Sequence, residues 1–191
     1  MKTVHRSEIL PIGDYELVRD RFRARVIVEK KDRRVHLGDK ATCVFENHDT
    51  VLLQIQEMLR TERITREAAI AHEIETYNEL LGGTNELSCT VMLEVVDEVA
   101  RDAFLVAAKG IEKCFFIEVA GERCAGQAAE DRTLEDRASA VIYLKFALSA
   151  AAAAALSSGG PATLGVDHAA YRAQIALGAQ VTRSLAEDLA A

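Results

Sequence analysis

The stretch Leu87-Ser88-Cys89-Thr90-Val91-Met92-Leu93-Glu94-Val95 places an apolar side chain at every odd position. Successive side chains of a β-strand point to opposite faces, so this alternation predicts a strand with one face in the core. Residues 140–148 alternate in the same way, and Ile142, Leu144 and Phe146 are the side chains predicted to be buried there. These two strands define the predicted sheet.

Other strands and helices can be placed around this pair. Three further strands are predicted to share the sheet, at residues 23–29, 34–46 and 112–120. Two helices, at residues 49–61 and 65–81, have apolar faces and are predicted to pack together, with Asn47 or Asp49 capping the first of them. A helix from Asp97 to Ala108, between two strands, predicts a β-α-β unit. The predicted class is therefore α+β, a mainly antiparallel sheet with a β-α-β unit and a helical pair packed on it.

The length of 191 residues predicts a single α+β domain, 1–191, with a C-terminal strand and helix extension from about residue 161. The net charge of −7 argues against nucleic-acid and anionic-membrane partners, which require a basic surface. No apolar run reaches the roughly 18 residues that span a bilayer. The N-terminus also lacks the apolar core of a signal peptide, so a cytoplasmic protein is predicted.

The four cysteines are far apart and show no C-x-x-C spacing, which weakens a zinc or thioredoxin-like interpretation. Cys43, Cys89 and Cys114 have apolar neighbours and are predicted to be core residues. Cys124 lies in the charged segment 121–137, predicted to be a loop or long hairpin arm, and is predicted to be the most exposed thiol.

Polar groups are concentrated around the start of the first predicted helix. Together with His48, a carboxylate and carboxamide set there could ligate a divalent metal or act in acid/base catalysis. The alternative is a well-capped helix with a solvated polar face. The candidate residues of this cluster are Glu46, Asn47, Asp49, Gln54, Glu57 and Arg60.

The next predicted helix adds Glu73, Tyr77 and Asn78 to the candidates. If the two helices pack antiparallel, Glu73 and Tyr77 are predicted to meet Gln54 and Glu57 in a shared polar pocket. His72-Glu73 lacks the second histidine of an H-E-x-x-H zinc site, and the E-x-x-H spacing of di-metal bundles is also absent.

A third polar group consists of Asp167, His168 and Tyr171. It could be a metal pair or half of a catalytic triad, but neighbouring residues of a strand point to opposite faces, which favours a turn-capping role. A basic set is either a solvated hairpin face or a docking surface for an acidic partner. Its members are Arg21, Arg23, Arg25, Lys30, Lys31, Arg33, Arg34 and Lys40.

Several stretches together resemble the bacterial domain-of-unknown-function 3501 family, over nearly the whole chain. They are Phe22–Ile27, Phe45–Arg60, Thr76–Leu80, Glu86–Ser88, Asp136–Val141 and Asp167–Tyr171. All nine candidate residues of the two helices, and His168, are typical of the family pattern, whereas His48 and His72 are not. The resemblance therefore weakens any mechanism that depends on His48 or His72.

The resemblance assigns no reaction and no cofactor. Members look like gene neighbours of rubrerythrin-like proteins and of proteins with heterodisulfide-reductase-type iron–sulfur motifs. This company implies an accessory protein that assists a redox or oxidative-stress system through a redox protein partner. This chain itself has no iron–sulfur ligand set. The rival hypothesis is a small enzyme or metal-binding protein that uses Glu46, Glu57 and Glu73. A homo-oligomer is also compatible with the sequence.

Overall fold

An eight-stranded sheet dominates the computed structural model, which describes residues 2–128 and 136–190. Every neighbouring pair of strands is antiparallel, in the order β1-β2-β3-β6-β5-β4-β7-β8. The strands are β1 (Arg34–Leu37), β2 (Ala41–Phe45), β3 (Glu86–Leu93), β4 (Phe115–Val119), β5 (Glu122–Ala128), β6 (Val141–Ala147), β7 (Ala162–His168) and β8 (Tyr171–Ala176). The predicted mixture of helices and antiparallel sheet is therefore confirmed.

Six α-helices and two short 3-10 turns, at Arg6–Glu8 and Ile111–Lys113, accompany these strands in the described residues. The helices are α1 (Ile12–Lys31), α2 (His48–Thr61), α3 (Glu67–Asn78), α4 (Glu98–Ala107), α5 (Ala150–Ser157) and α6 (Ala179–Ala190). None of them is long and apolar enough to cross a membrane, a statement that covers the described part of the chain.

The sheet curves until its two edge strands approach each other. Strand β5 turns the corner, because its first half pairs with β4 and its last three residues pair with β6. A side chain at Gly126, where the partner changes, would press on the ring of Phe146 and on the backbone of Phe115. At the opposite side, the hydroxyl of Tyr171 in β8 donates to the backbone carbonyl of Leu37 in β1.

The main core fills the inside of this curved sheet, where α4, α5 and α6 contribute to it. Leu87, Cys89, Val91 and Leu93 are each at most 3% exposed, as their alternation predicts. The matching side chains of β6 are also buried, with at most 5% exposed; they are Ile142, Leu144 and Phe146. Successive side chains of a strand point to opposite faces, so the alternation marks the buried face whichever strands lie beside it.

A second apolar cluster joins α2 and α3 to the N-terminal segment, with Val4, Val51, Ile55, Ile70 and Ile74 among its buried members. Tyr143 of β6 packs against this cluster, so the two helices lie on the outer face of the sheet. The predicted packing of the two helices is thus confirmed. The predicted cap is also observed, since the Asn47 side chain accepts from the backbone N–H of Thr50.

The prediction of a strand at residues 23–29 is wrong, because this stretch belongs to the 20-residue helix α1. The β-branched run Val26-Ile27-Val28 favours a strand locally. Tertiary packing overrides this local preference for a strand. Tyr15 and Val26 are both buried, and their separation of eleven residues places them on one face of a helix.

Two other details of the predicted sheet differ from the structure. Residues 34–46 form two strands, joined by a turn at Gly38, whose φ of 68° is left-handed. The β-α-β unit is not confirmed. Helix α4 does connect β3 to β4, but β6 and β5 lie between these strands. In the predicted loop 121–137, residues 122–128 are strand β5, and residues 129–135 lie outside the described part of the chain.

Candidate functional site

Glu46 lies in the link between β2 and α2, and only 3% of its surface is exposed. One carboxylate oxygen accepts from Thr50 Oγ1 (2.5 Å) and Gln54 Nε2 (3.1 Å), and the other accepts from Thr90 Oγ1 (2.6 Å). A buried carboxyl needs such partners, since an unsatisfied one would strongly destabilise the fold. Glu46 thus connects β3 to the first two turns of α2.

The cap of α2 connects this region to α1. Asn47 Oδ1 accepts from Thr50 N (3.0 Å), while Asn47 Nδ2 donates to Glu29 Oε1 of α1 (2.5 Å). Asp49, in the first turn of α2, accepts from the guanidinium of Arg25. Burial alone would raise the pKa of Asp49, but hydrogen bonds from Arg25 and His48 hold this pKa below its ordinary value.

His48 lies between two carboxylates. Its Nε2 is 3.0 Å from Glu8 Oε1, and its Nδ1 is 3.3 Å from Asp49 Oδ1. Burial would raise the pKa of Glu8, yet hydrogen bonds from the His5 backbone and from His48 leave this pKa lowered. The imidazole therefore lies between the N-terminal segment and the start of α2, within ion-pair distance of a carboxylate on each side.

Glu57 faces α1 and forms a bidentate ion pair with it. Arg19 donates to both of its oxygens at 2.8 Å, and the Tyr15 hydroxyl donates at 2.6 Å. The bidentate Arg19 contact is the main cause that lowers the pKa of Glu57 to about 2. Burial and the same carboxylate raise the pKa of Tyr15. Arg60, one turn further along α2, donates to Glu16 at 2.6 Å.

Gln54 and Glu57 therefore bond to different neighbours, Gln54 to Glu46 and Glu57 to α1. The pocket predicted to unite them with Glu73 and Tyr77 of α3 does not include Glu57, whose partners lie on α1. Glu73 is half-buried on α3 and forms no hydrogen bond or ion pair with the described residues. Tyr77 packs against the second apolar cluster.

Asn78, the last candidate on α3, holds the N-terminal segment. Its Oδ1 accepts from Val4 N (2.8 Å) and its Nδ2 donates to Val4 O (2.9 Å). One amide side chain thus satisfies both backbone groups of a residue that is 2% exposed.

The C-terminal candidate residues lie in the hairpin that β7 and β8 form. His168 Nδ1 accepts from the backbone N–H of Ala170 (3.1 Å), and its Nε2 lies 3.2 Å from the carbonyl of Lys109. Asp167 pairs with Arg172 at 2.9 Å on the surface. Tyr171 points to β1 instead, so these three side chains have separate partners.

Metal binding and thiol reactivity were the two further candidate chemistries, and residues 2–128 and 136–190 show an assembled site for neither. No three His, Cys, Asp or Glu side chains are grouped there so that they could hold a metal ion. All four cysteines are free thiols. The prediction that Cys124 is the most exposed is wrong, because it is 6% exposed in β5 while Cys114 is half-buried. Burial raises the pKa of both thiols, which disfavours the reactive thiolate.

The sequence interpretation missed the role of α1. Five exposed side chains of this helix, four, three, four and three residues apart, form a straight stripe on its outer side, which we call the α1 stripe. Its members are Leu17, Arg21, Ala24, Val28 and Lys31. The spacing is visible in the sequence, but the β-branched run drew the prediction towards a strand.

The fold is thus that of an α+β protein with one curved antiparallel sheet. Its candidate site residues form hydrogen bonds and ion pairs that attach the helices, their caps and the turns to one another and to this sheet. Over residues 3–189, the chain matches the family described as protein of unknown function (DUF3501). The chain belongs to this family, and the resemblance of its sequence is confirmed.

A solved structure shows the same fold. It is a crystal structure of a novel protein of unknown function from Burkholderia pseudomallei K96243, 35% identical, with a TM-score of 0.93. The similarity covers 98% of this chain and 100% of that one. A comparison with curated proteins gives no match.

Proposed function

We propose that this protein is an accessory binding protein that docks an acidic helix of a redox partner on the α1 stripe. The family resemblance suggests the redox or oxidative-stress setting, in which rubrerythrin-like and iron–sulfur proteins are the partners. The observation that supports docking is the stripe itself.

The α1 stripe exposes apolar surface in the geometry of a helix–helix contact. Leu17 is 85% exposed and Val28 is 60% exposed. Side chains at alternating spacings of three and four residues form the seam by which one helix packs along another. Helix α1 already buries its opposite side against α2 through Tyr15 and Val26, so the stripe is free to meet a second helix.

The charges along the stripe select an acidic partner. Arg21 and Lys31, its two charged members, form no ion pair with the described residues, in a chain whose net charge is −7. Other residues of the basic set are already engaged. Arg25 pairs with Asp49, Arg23 lies 4.0 Å from Glu57, and Arg33 is buried. The docking surface is therefore narrower than the whole basic set.

Binding to a rubrerythrin-like protein, the kind of partner that the family resemblance suggests, tests this proposal. The double variant Leu17→Glu with Val28→Glu places two carboxylates on the seam and is expected to weaken binding by at least about tenfold. The matched control is Val99→Glu, on the exposed side of α4, where the native valine is 79% exposed. It should bind as the wild type does.

Salt gives a second measure of the same contact. Exposed charges interact over a Debye length of about 8 Å at physiological salt, so the wild-type affinity should fall as salt rises, and Lys31→Glu should weaken binding at low salt. Equal affinity of the double variant and the wild type, or no binding of the wild type to either kind of redox partner, would refute docking on the stripe.

A further inference from the structure

A groove of about 400 Å³ opens between the N-terminal segment, α1 and α2. It lies beside the α1 stripe, on the flank of α1 that faces α2. Its walls are mainly apolar, with two guanidinium groups on the α1 side. The residues that matter for the argument are Leu10, Val18, Phe22 and Leu52, with Arg21 and Arg25.

Buried hydrogen bonds from Gln56 of α2 fix the wall of the groove that the N-terminal segment forms. Gln56 is 2% exposed, and its side chain accepts from Leu10 N (2.6 Å) and donates to Leu10 O (3.3 Å). Across the groove, Tyr15 is fixed by its bond to Glu57. Both walls are thus positioned without a ligand, and a preformed site loses less entropy when it binds.

The charge of the groove is positive at one end. Arg25 is neutralised by Asp49 and lies 5.2 Å from the ring centroid of Phe22. Arg21, one helical turn away, forms no ion pair with any described residue. Glu8, which also borders the groove, already faces Lys2 at 3.3 Å and His48 at 3.0 Å. Arg21, which also belongs to the α1 stripe, is therefore the cation of the groove that has no ion pair with the described residues.

We propose that this groove binds a small amphipathic carboxylic acid, with its apolar part between Leu10, Val18 and Leu52 and its carboxylate on Arg21. The volume lies in the lower part of the range of about 300–1,000 Å³ found for small-molecule sites, which are apolar with a few placed polar groups. A guanidinium is the side chain best suited to a carboxylate, because it donates two parallel hydrogen bonds. This ligand site goes beyond the docking of a protein partner.

Calorimetric titration with 4-phenylbutyrate, and with the uncharged 4-phenyl-1-butanol as its matched probe, tests the proposal. The acid is expected to bind at least about fivefold more tightly than the alcohol, because only the acid forms a charge-assisted contact with Arg21. Arg21→Gln should remove this difference. Lys31→Gln, a neutralised cation of the stripe outside the groove, should leave the difference unchanged.

Two variants that fill the groove locate the site. Val18→Trp and Leu10→Trp change side chains that are 43% and 39% exposed, so the fold should tolerate either of them. Each should abolish binding of the acid while the thermal unfolding midpoint stays close to that of the wild type. Binding that survives both variants, equal affinity for acid and alcohol, or no binding of the acid at millimolar concentration would overturn the proposal. Partner binding is measured separately, with variants outside the groove, so the two proposals can fail independently.

Discussion

Arg33 and Arg34 are adjacent and chemically identical, yet their environments are opposite. Arg33 is 1% exposed and donates to the carbonyls of Phe45 and Glu46, to Ser184 and to the carboxylate of Asp188 in α6. Arg34 is exposed at the start of β1. Burial raises the pKa of Asp188, and the Arg33 guanidinium partly offsets this effect. Arg33 therefore attaches the last helix to the end of β2.

Arg33→Ala is expected to lower the free energy of unfolding by about 3–5 kcal/mol, because it leaves a buried carboxyl and two backbone carbonyls without their donor. Arg34→Ala should change this free energy by less than about 0.5 kcal/mol. Urea unfolding of both variants at neutral pH measures the difference. Equal effects of the two substitutions would contradict the buried ion pair.

At the scale of elements, α1 is attached to α2 by ion pairs of different exposure. Glu57 and its partner Arg19 are 27% and 20% exposed, whereas Glu16 and its partner Arg60 are 46% and 33% exposed. Solvent screening weakens exposed pairs, so the contact between Glu57 and Arg19 should contribute most to the position of α1. The α1 stripe and the groove both depend on this position.

Glu57→Gln is expected to lower the free energy of unfolding by about 1–2 kcal/mol at pH 7, an amount reduced for partial exposure. The folded-state pKa of Glu57, about 2, lies below the ordinary value of about 4.3 for a glutamate. The stabilisation is therefore complete above the ordinary pKa and is lost as the pH falls towards 2. Urea midpoints between pH 7 and pH 3 should converge for variant and wild type.

The control for this prediction is Glu16→Gln, which removes the more exposed pair with Arg60. It should have a smaller effect at pH 7 than Glu57→Gln. A constant difference between Glu57→Gln and the wild type across the pH range would show that the Glu57 carboxylate charge does not stabilise the folded state.

At the scale of the whole molecule, the closure of the sheet depends on a contact between its two ends. Besides donating to Leu37, the Tyr171 hydroxyl accepts from the backbone N–H of Lys40 (3.1 Å), and Phe104 packs edge-on against the Tyr171 ring. A side chain at Gly38 would overlap this hydroxyl, so the turn between β1 and β2 needs a glycine for space as well as for its left-handed φ.

Tyr171→Phe retains the ring and removes both hydrogen bonds of the hydroxyl. The free energy of unfolding is expected to fall by about 1–2 kcal/mol, because the Leu37 carbonyl and the Lys40 N–H lose their partner. Hydrogen exchange should accelerate at Lys40 and in β1, while the amides of β3, in the middle of the sheet, should keep their protection. Uniform acceleration in both places would mean that the contact is not a local closure.

The sequence by itself determined those elements in which a regular pattern of apolar and polar side chains separates a face in the core from a face in solvent. The alternations at 87–95 and 140–148, the amphipathic face of α2 and the Asn47 cap follow from local geometry, so they are visible without knowledge of any neighbour. The family membership is visible for the same reason, since it depends on stretches of local sequence.

Only the tertiary structure decided which neighbours the polar side chains would find. A β-branched run became part of α1, a helix that packs along α2 and buries Tyr15 and Val26. Strand β4, which α4 connects to β3, came to lie with two other strands between it and β3. The candidates Glu46, Glu57 and Asn78 were predicted to lie in one region, yet each has different partners. Glu46 bonds to β3 and α2, Glu57 bonds to α1, and Asn78 bonds to the N-terminal segment. Hydrogen-bond partners far apart in sequence are fixed by packing, and no local pattern encodes them.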